Sequence, residues 1–303
     1  LILAVPIAIV AGLSQSAKSG AVIKGGAILE SISRVETVLL DKTGTLTHGG
    51  PALSSVCSAP GITVDEVIAI AASVDQYSPH VVARAIVEHA KKNNLAISPC
   101  SDISELPGVQ ISGSINGEKV TVGQLTVDRP DWLTFAEPLM VAVTRNDQLV
   151  GVIGLKDPIR PESKAIIAAL RSAGVKRIAL VTGDRDETAQ EVAAALGITE
   201  VFSQTTAAGK LKITTDAMAS TTGTVVVVGD GINDAPALAA AHVGVAMGAR
   251  GASAASEAAD VIIVDDAIDR LIRAIQISKR ARRKALQAAG IGMSLSLVIM
   301  ATG

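Results

Sequence analysis

Three short polar segments carry the residue types that phosphoryl transfer requires. They are Asp41-Lys42-Thr43-Gly44-Thr45-Leu46-Thr47, Thr182-Gly183-Asp184 and Gly229-Asp230-Gly231-Ile232-Asn233-Asp234. A carboxylate followed by Lys, Thr and Gly on a turn lies where backbone N–H groups can converge on an anion. Asp41 is therefore a candidate nucleophile for a phosphoryl group. Asp, Gly and Thr also occur in ordinary turns, and Thr182-Gly183-Asp184 alone fits that interpretation equally well.

Each polar segment follows an apolar run that is typical of a buried strand. The runs are 37–40, 176–181 and 224–228, and helical segments at 162–173, 186–196 and from 236 onwards alternate with them. This alternation predicts an α/β fold with a parallel sheet. Ligands of such sheets bind outside the carboxyl ends of the strands, so the three segments should converge on one site.

The predicted site contains groups for both a metal ion and a phosphate. Asp230, with Asp41 and the backbone carbonyl of Thr43, offers the hard oxygen ligands that suit Mg²⁺. Thr182, the backbone N–H of Gly183 and a lysine would bind the phosphate.

The stretch between the first two polar segments has a different pattern. Residues 48–61 are rich in Gly, Ser and Pro and indicate a linker, and 63–76 and 80–93 indicate two helices. Period-two alternation follows over 106–155, with Asn116-Gly117 as a hairpin signal. We expect a small α+β insert, and a second hinge at 156–161.

Composition excludes several classes of protein. The net charge is −2, and basic residues do not alternate with aromatic ones, which argues against nucleic-acid binding. With one Trp, one Tyr and two Phe, the core must consist of Ala, Val, Ile and Leu. Cys57 and Cys100 suggest no disulfide framework and fit a reducing compartment.

Both ends of the chain are apolar. Residues 1–13 and 285–303 carry no charge, and Lys279, Arg280, Arg282, Arg283 and Lys284 precede the second segment. Positive charge beside an apolar segment marks the cytoplasmic side of a membrane helix. We expect stubs of two membrane helices around a large cytoplasmic loop; buried amphipathic helices are the alternative. The expected divisions are a membrane-helix end with connector, a first sheet part, the insert, a second sheet part and a membrane-helix start, at 1–30, 31–48, 49–153, 154–284 and 285–303.

The three polar segments, together with Asp157-Pro158-Ile159-Arg160-Pro161, resemble the hallmarks of haloacid-dehalogenase-like phosphotransferases, and within them of P-type ATPases. The resemblance covers essentially the whole chain. It implies a Rossmannoid parallel sheet, called the P domain, with an inserted nucleotide-binding N domain. It also implies ATP and Mg²⁺ as cofactors. By this resemblance Asp41 is the phosphorylated residue, Asp230 is the Mg²⁺ ligand and Lys210 contacts the phosphate. Thr182, Gly183, Asp184, Asn233 and Asp234 complete the site.

Finer features resemble the heavy-metal-transporting, P1B-type pumps. These features are Val5-Pro6-Ile7-Ala8, Ile23-Lys24-Gly25-Gly26 and the stretch from Ser78 to Ile86. By alignment, His80 and Gly108 would bind the nucleotide. The sequence departs from the family pattern at Pro79 and Val81, and at Gln110, where the family has a second glycine.

Thr43 favours a pump over a simple phosphatase. Phosphatases of the superfamily carry a second Asp at this position as general acid/base, and a threonine cannot activate water in that way. We expect the catalytic part of an ATP-driven heavy-metal pump in a membrane, and the resemblance implies a bacterial cell membrane. The partners implied are ATP and the transported ion. A soluble Mg²⁺-dependent phosphatase and a non-catalytic nucleotide-binding regulatory module are the alternatives.

Overall fold

A computed structural model describes residues 4–125, 128–230, 232–248, 254–265 and 267–302. Gly231 of the third polar segment lies outside the described residues, as do 1–3 and 303 of the expected terminal stubs. The chain divides into two compact units. Unit 1 comprises Leu1–His48 and Ile159–Gly303, and unit 2 comprises Gly49–Pro158.

The secondary structure follows the alternation of apolar runs and amphipathic segments in the sequence. The strands are β1 (Ala21–Ile23), β2 (Val35–Asp41), β3 (Ala52–Ser58), β4 (Ser101–Leu106), β5 (Gln110–Ile115), β6 (Glu118–Gln124), β7 (Leu139–Arg145), β8 (Gln148–Lys156), β9 (Arg177–Val181), β10 (Glu200–Phe202), β11 (Thr224–Gly229), β12 (Val243–Ala246) and β13 (Val261–Ile263). The α-helices are α1 (Ala4–Lys18), α2 (Gly26–Ile32), α3 (Val64–Asp75), α4 (Val81–Lys92), α5 (Ser163–Ser172), α6 (Asp186–Leu196), α7 (Ala207–Ala219), α8 (Ala235–Ala240), α9 (Ala254–Ala258) and α10 (Asp269–Thr302).

Unit 1 contains the predicted parallel sheet. Its strand order is β1-β13-β12-β11-β2-β9-β10, and every pair is parallel except β1 with β13. The three strands that precede the polar segments, β11, β2 and β9, are direct neighbours at its centre. The carboxyl ends of these strands therefore lie side by side at one edge of the sheet.

The central strands are buried on both faces, which explains why their sequences are continuously apolar. Val38 and Leu40 of β2 pack in the core on one face, while Leu39 packs in a second core on the other. Side chains alternate across a strand, so both faces must be covered by helices for this pattern to be stable. The two-sided core fixes β2, and with it the position of Asp41 at its end.

Unit 2 is the α+β insert. Its antiparallel sheet has the order β3-β8-β7-β6-β5-β4, and α3 and α4 pack against it around a separate core. The predicted hairpin at Asn116-Gly117 is confirmed: Ile115 pairs with Glu118, and the two turn residues have φ of 52° and 85°. A second two-residue turn, Asn146-Asp147, joins β7 to β8 with φ of 51° and 61°.

The linker prediction for 48–61 is wrong over β3. Ala52–Ser58 forms an edge strand that pairs with β8, and Leu53 and Val56 pack against the unit 2 core. The Ser-rich composition hides this strand because only part of it is covered. On the other side of the insert, β8 continues to Lys156, so unit 2 ends at Pro158, later than the expected 153.

Helix α10 runs without interruption through residue 285, where a membrane segment was expected to begin. Within the described residues, no helix combines the length and the apolar character needed to cross a membrane. The terminal stubs stay a prediction.

Helix α8 packs closely against β12 at Gly244, and a substitution there tests this packing. A Cβ at Gly244 would overlap the backbone carbonyl oxygen of Leu238. We therefore expect Gly244→Ala to lower the free energy of unfolding by about 1–3 kcal/mol through overpacking. Thermal unfolding of the 303-residue chain measures this.

Gly290→Ala in α10 is the matched control, because a Cβ there meets no atom within 4 Å. Alanine is a better helix former than glycine, so the control should be neutral or stabilising. Equal melting temperatures for the two variants would contradict the close approach of α8 to β12.

Candidate active site

The site lies in unit 1, where Asp41 ends β2. Asp230 follows the neighbouring strand β11, and Asp234 closes the short 3₁₀ turn Ile232–Asp234 behind it. Carboxylate oxygens of Asp41, Asp230 and Asp234 all lie within 4.8 Å of one another. Asp41 and Asp234 are buried, and Asp230 is exposed to solvent.

Lys210 joins two of these carboxylates. Its Nζ donates a hydrogen bond to Oδ1 of Asp41 and another, 2.6 Å long, to Oδ1 of Asp234. The lysine projects from α7, and 169 residues separate it from Asp41 in the chain. Three carboxylates against one ammonium leave these four groups with a formal charge of −2.

Burial and the neighbouring charges shift the pKa values of two groups in this cluster, Asp41 and Lys210. Burial, together with the charge of Asp234, raises the pKa of Asp41 to about 7, although Lys210 opposes the shift. Burial lowers the pKa of Lys210, but the two carboxylates outweigh it and raise that pKa above its usual value. Oxygen ligands with a surplus of two negative charges suit a hard divalent cation such as Mg²⁺.

Two glycines allow the carboxylates to come this close. Gly44 has φ of +69°, and a Cβ there would overlap the carboxylate of Asp230. A Cβ at Gly229 would lie 2.5 Å from Oδ2 of Asp234. Both positions therefore need the absence of a side chain.

Buried polar side chains donate hydrogen bonds to the turn after Asp41, Lys42–Leu46. Arg160 donates from Nε to the carbonyl of Thr47 at 2.8 Å and from Nη2 to that of Gly44 at 3.1 Å. Ser163 Oγ donates to the carbonyl of Leu46 at 2.8 Å. The sequence pattern marked Arg160 only as part of a hinge, and its role as an anchor of the turn was missed.

The second polar segment borders the same edge of the sheet. Thr182 is buried directly after β9, and its hydroxyl accepts a hydrogen bond of 3.2 Å from the N–H of Asp184. The Asp184 carboxylate forms an ion pair with Lys42, a buried lysine to which the sequence analysis gave no role. Gly183 stands between Thr182 and Asp184 in the chain. Thr43, in the turn after Asp41, and Asn233, in the 3₁₀ turn, are both exposed to solvent.

Unit 2 has a cavity of about 140 Å³ that brings His80 and Gly108 together. His80 begins α4, where its Nδ1 accepts a hydrogen bond of 3.3 Å from the N–H of Val82. Gly108, with φ of +74°, lies in the turn between β4 and β5. Clefts that hold whole ligands usually measure about 300–1,000 Å³, so this cavity accommodates a planar ring rather than a complete nucleotide.

Two carboxyl groups in this cavity were missed by the sequence analysis. Glu105 accepts a hydrogen bond of 2.6 Å from Ser78 Oγ. Asp75 is buried, and its Oδ2 has no hydrogen-bond partner in the described part of the chain. Burial, followed by the charge of Glu105, raises the pKa of Asp75 to about 7.

Gln110, where the sequence departs from the glycine of the family pattern, lines the same cavity. It pairs across the sheet with Gly123. A Cβ at Gly123 would lie 2.5 Å from the Cβ of Gln110 and 2.7 Å from the carbonyl oxygen of Val109. The glycine that this cavity wall requires therefore occupies the facing strand.

The close approach at Gly44 predicts the result of adding a methyl group. Gly44→Ala should weaken Mg²⁺ binding by about tenfold or more, equivalent to roughly 1.4 kcal/mol, because Asp230 must move away. The Mg²⁺-dependent rise in melting temperature measures the affinity. Gly50→Ala, which meets no atom within 4 Å, is the control and should bind as the unmodified chain does. Unchanged affinity in Gly44→Ala would contradict a role for Asp230 as ligand.

The buried carboxyl of Asp75 predicts a pH-dependent stability. Its folded-state pKa of about 7 lies above the ordinary 3.8, so its contribution is fully present below pH 3.8 and is lost as the pH rises through about 7. Asp75→Asn should therefore stabilise unit 2 at pH 8, by up to about 4 kcal/mol at 1.36 kcal/mol per pH unit, and leave it unchanged near pH 4. Melting curves at the two pH values measure the difference.

Asp147→Asn, at a carboxylate whose side chain is 78% exposed, should show no such pH dependence and is the control. If Asp75→Asn raised the melting temperature equally at both pH values, the effect would not come from ionisation.

Comparison with known proteins identifies the family to which the fold belongs. Residues 35–242 match the family described as haloacid dehalogenase-like hydrolase. The chain is 37% identical over 296 residues to the manganese-exporting P-type ATPase of Mycobacterium leprae, which covers 92% of this chain and 40% of that protein. It is 36% identical to the zinc/cadmium/lead-transporting P-type ATPase of Escherichia coli, over 100% of this chain and 42% of that protein. The chain thus spans about two fifths of the length of these relatives.

Solved structures agree with this assignment. A zinc-transporting PIB-type ATPase in the E2.Pi state is similar with a TM-score of 0.87 and 33% identity, over 99% of this chain and 50% of that one. The catalytic domain of the CPx-ATPase CopB-B has a TM-score of 0.67 and 30% identity, over 87% of this chain and 98% of that one. The chain therefore belongs to the haloacid dehalogenase-like hydrolases and, within them, to the heavy-metal P1B-type P-type ATPases.

Proposed function

We propose that this chain is the catalytic part of an ATP-driven heavy-metal pump that works through an aspartyl-phosphate on Asp41. The observation that carries the proposal is the cluster in which Lys210 bridges Asp41 and Asp234 beside Asp230. A buried carboxylate at a strand end, oriented by an ammonium group and close to further oxygen ligands, has what a phosphoryl acceptor requires.

In the proposed step, a carboxylate oxygen of Asp41 attacks the γ-phosphorus of ATP. The new O–P bond forms as the bond from the γ-phosphorus to the bridging oxygen breaks, and ADP leaves with that electron pair. Lys210 holds the acceptor carboxylate in position and offsets charge that would repel the phosphoryl group. Thr182 and the N–H of Gly183 bind the phosphoryl oxygens, with Asp184 and Asn233 at the border of the site.

Mg²⁺ would be held by Asp230, Asp41 and the carbonyl of Thr43. When bound, the ion supplies positive charge that stabilises the transferring phosphoryl group. The three carboxylates that converge there support such an ion, because they exceed the one ammonium group of Lys210 by two formal charges.

The cavity in unit 2 supports a role in nucleotide binding. Its volume of about 140 Å³ suits the base of ATP, and both His80 and Gly108 line it. The neighbouring carboxyl groups of Asp75 and Glu105 offer acceptors for an amino group on that base.

Thr43 favours a lasting phosphoenzyme. It lies two residues after Asp41, and its hydroxyl cannot take a proton from water as a carboxylate does. A phosphorylated Asp41 that resists water would persist long enough to drive a conformational change, as transport requires.

The transported substrate is proposed from the relatives. Their names specify manganese export and zinc, cadmium and lead transport, so we infer a heavy-metal cation as substrate, a membrane location and a cytoplasmic position for this part.

A substitution of the proposed nucleophile, Asp41, tests the proposed function. Asp41→Asn keeps the size of the side chain but removes the attacking oxygen, so incorporation of ³²P from γ-labelled ATP should fall to background, by about 100-fold or more given the usual contribution of a nucleophile. Acid-quenched gel electrophoresis measures the phosphoenzyme.

Asp216→Asn is the matched control, because that carboxylate is 63% exposed on α7 and pairs with its helical neighbour Lys212. It should label normally. Labelling of Asp41→Asn at the level of the unmodified chain would exclude Asp41 as the acceptor.

A further inference from the structure

A large cavity of unit 1, of about 510 Å³, lies beside α10. It is lined by Ser33, Lys279, Arg282, Arg283, Leu286 and Gln287. Ser33 ends α2, and the other residues belong to two successive turns of α10. The cavity therefore combines three cationic side chains with the apolar side chain of Leu286.

The basic residues at the beginning of α10 are paired with carboxylates, whereas within the described residues those near the cavity are not. Near the start of α10, Arg270 pairs with Asp265 and Arg273 pairs with Asp269 at 3.2 Å. Further along, Lys279 donates to the carbonyl of Ala173 at the end of α5. In the described part of the chain, no carboxylate pairs with the next four basic residues, Arg280, Arg282, Arg283 and Lys284.

Exposed apolar side chains continue from this cavity along α10. Leu286 is 57% exposed, Ile291 71% and Met293 64%. Helix α1, which packs along α10, adds Ile7 and Val10, each 63% exposed. A basic segment of α10 is thus followed directly by exposed apolar side chains, a combination that marks an interaction surface.

We propose that this cavity binds the headgroup of an anionic phospholipid, with the phosphate held by Arg282 and Arg283 and the acyl chains along the apolar face of α10. Guanidinium groups match phosphate oxygens in a bidentate geometry. The exposed apolar side chains from Leu286 onwards along α10 favour a lipid over free phosphate, since a free ion would leave them in water. Basic clusters beside an apolar segment attract anionic lipids in general, and the cavity adds a defined site to that attraction. This lipid site is independent of phosphoryl transfer at Asp41.

Binding of the 303-residue chain to sucrose-loaded vesicles tests the site. Vesicles of phosphatidylglycerol with phosphatidylcholine are compared with phosphatidylcholine alone at about 0.15 M salt, where charges further apart than roughly 8 Å are screened. The variant Arg282→Gln/Arg283→Gln should bind phosphatidylglycerol vesicles about tenfold more weakly, equivalent to roughly 1.4 kcal/mol, and lose its preference for them.

The matched control Arg280→Gln/Lys284→Gln removes the same charge from the same helix outside the cavity, so it should keep the preference for phosphatidylglycerol and bind these vesicles more tightly than the Arg282→Gln/Arg283→Gln variant does. Equal losses in both variants would mean diffuse attraction to the surface and would overturn the proposal. Equal binding of the unmodified chain to both kinds of vesicle would also overturn it. Displacement of the chain by inorganic phosphate at constant ionic strength would identify a free-anion site instead. All variants should still label Asp41 with ³²P, so failure here is distinct from failure of the proposed function.

Discussion

The contact of Lys210 with Asp41 and Asp234 is the interaction on which the candidate site depends. Two buried carboxylates repel each other strongly unless a cation separates them, and α7 supplies that cation from a distant part of the chain. The parallel sheet brings the strand ends together, and the lysine offsets the repulsion between the two carboxylates that it contacts. The three carboxylates of the cluster exceed this one ammonium group by two formal charges, which a divalent ion would balance.

The backbone near Asp41 contains glycines where a side chain would overlap a carboxylate. Because Gly44 and Gly229 have no side chain, Asp230 and Asp234 can lie close to the backbone. Arg160 and Ser163 anchor the turn by donating hydrogen bonds to the carbonyls of Gly44, Leu46 and Thr47. Buried carbonyls without such partners would each cost about 1–3 kcal/mol. The hinge segment thus stabilises the turn that carries the nucleophile.

Sequence patterns predicted the parts of the molecule that rest on local or periodic signals. The apolar run ending at Asp41 predicted β2 and its turn, and Asn116-Gly117 predicted a hairpin, because each is specified within a few residues. Strand β3 was missed, since its Ser-rich edge is only partly covered and lacks a regular alternation. The contact of Arg160 with Thr47 spans 113 residues, and no local pattern encodes it. Lys210 was reached only through family resemblance, for the same reason. Asp75 and Glu105 share a cavity that only the folded sheet and helix create.

The pairing of Gln110 with Gly123 has a consequence for how this protein can vary. A Cβ at residue 123 would meet not only the Cβ of Gln110 but also two backbone atoms, the carbonyl oxygen of Val109 at 2.7 Å and the Cα of Gln110 at 2.9 Å. A smaller side chain at residue 110 would leave both backbone contacts in place, so the strand pairing requires glycine at 123 whatever residue faces it. Variation in this wall of the cavity is therefore confined to residue 110, and a change at 123 would have to displace the backbone of the neighbouring strand.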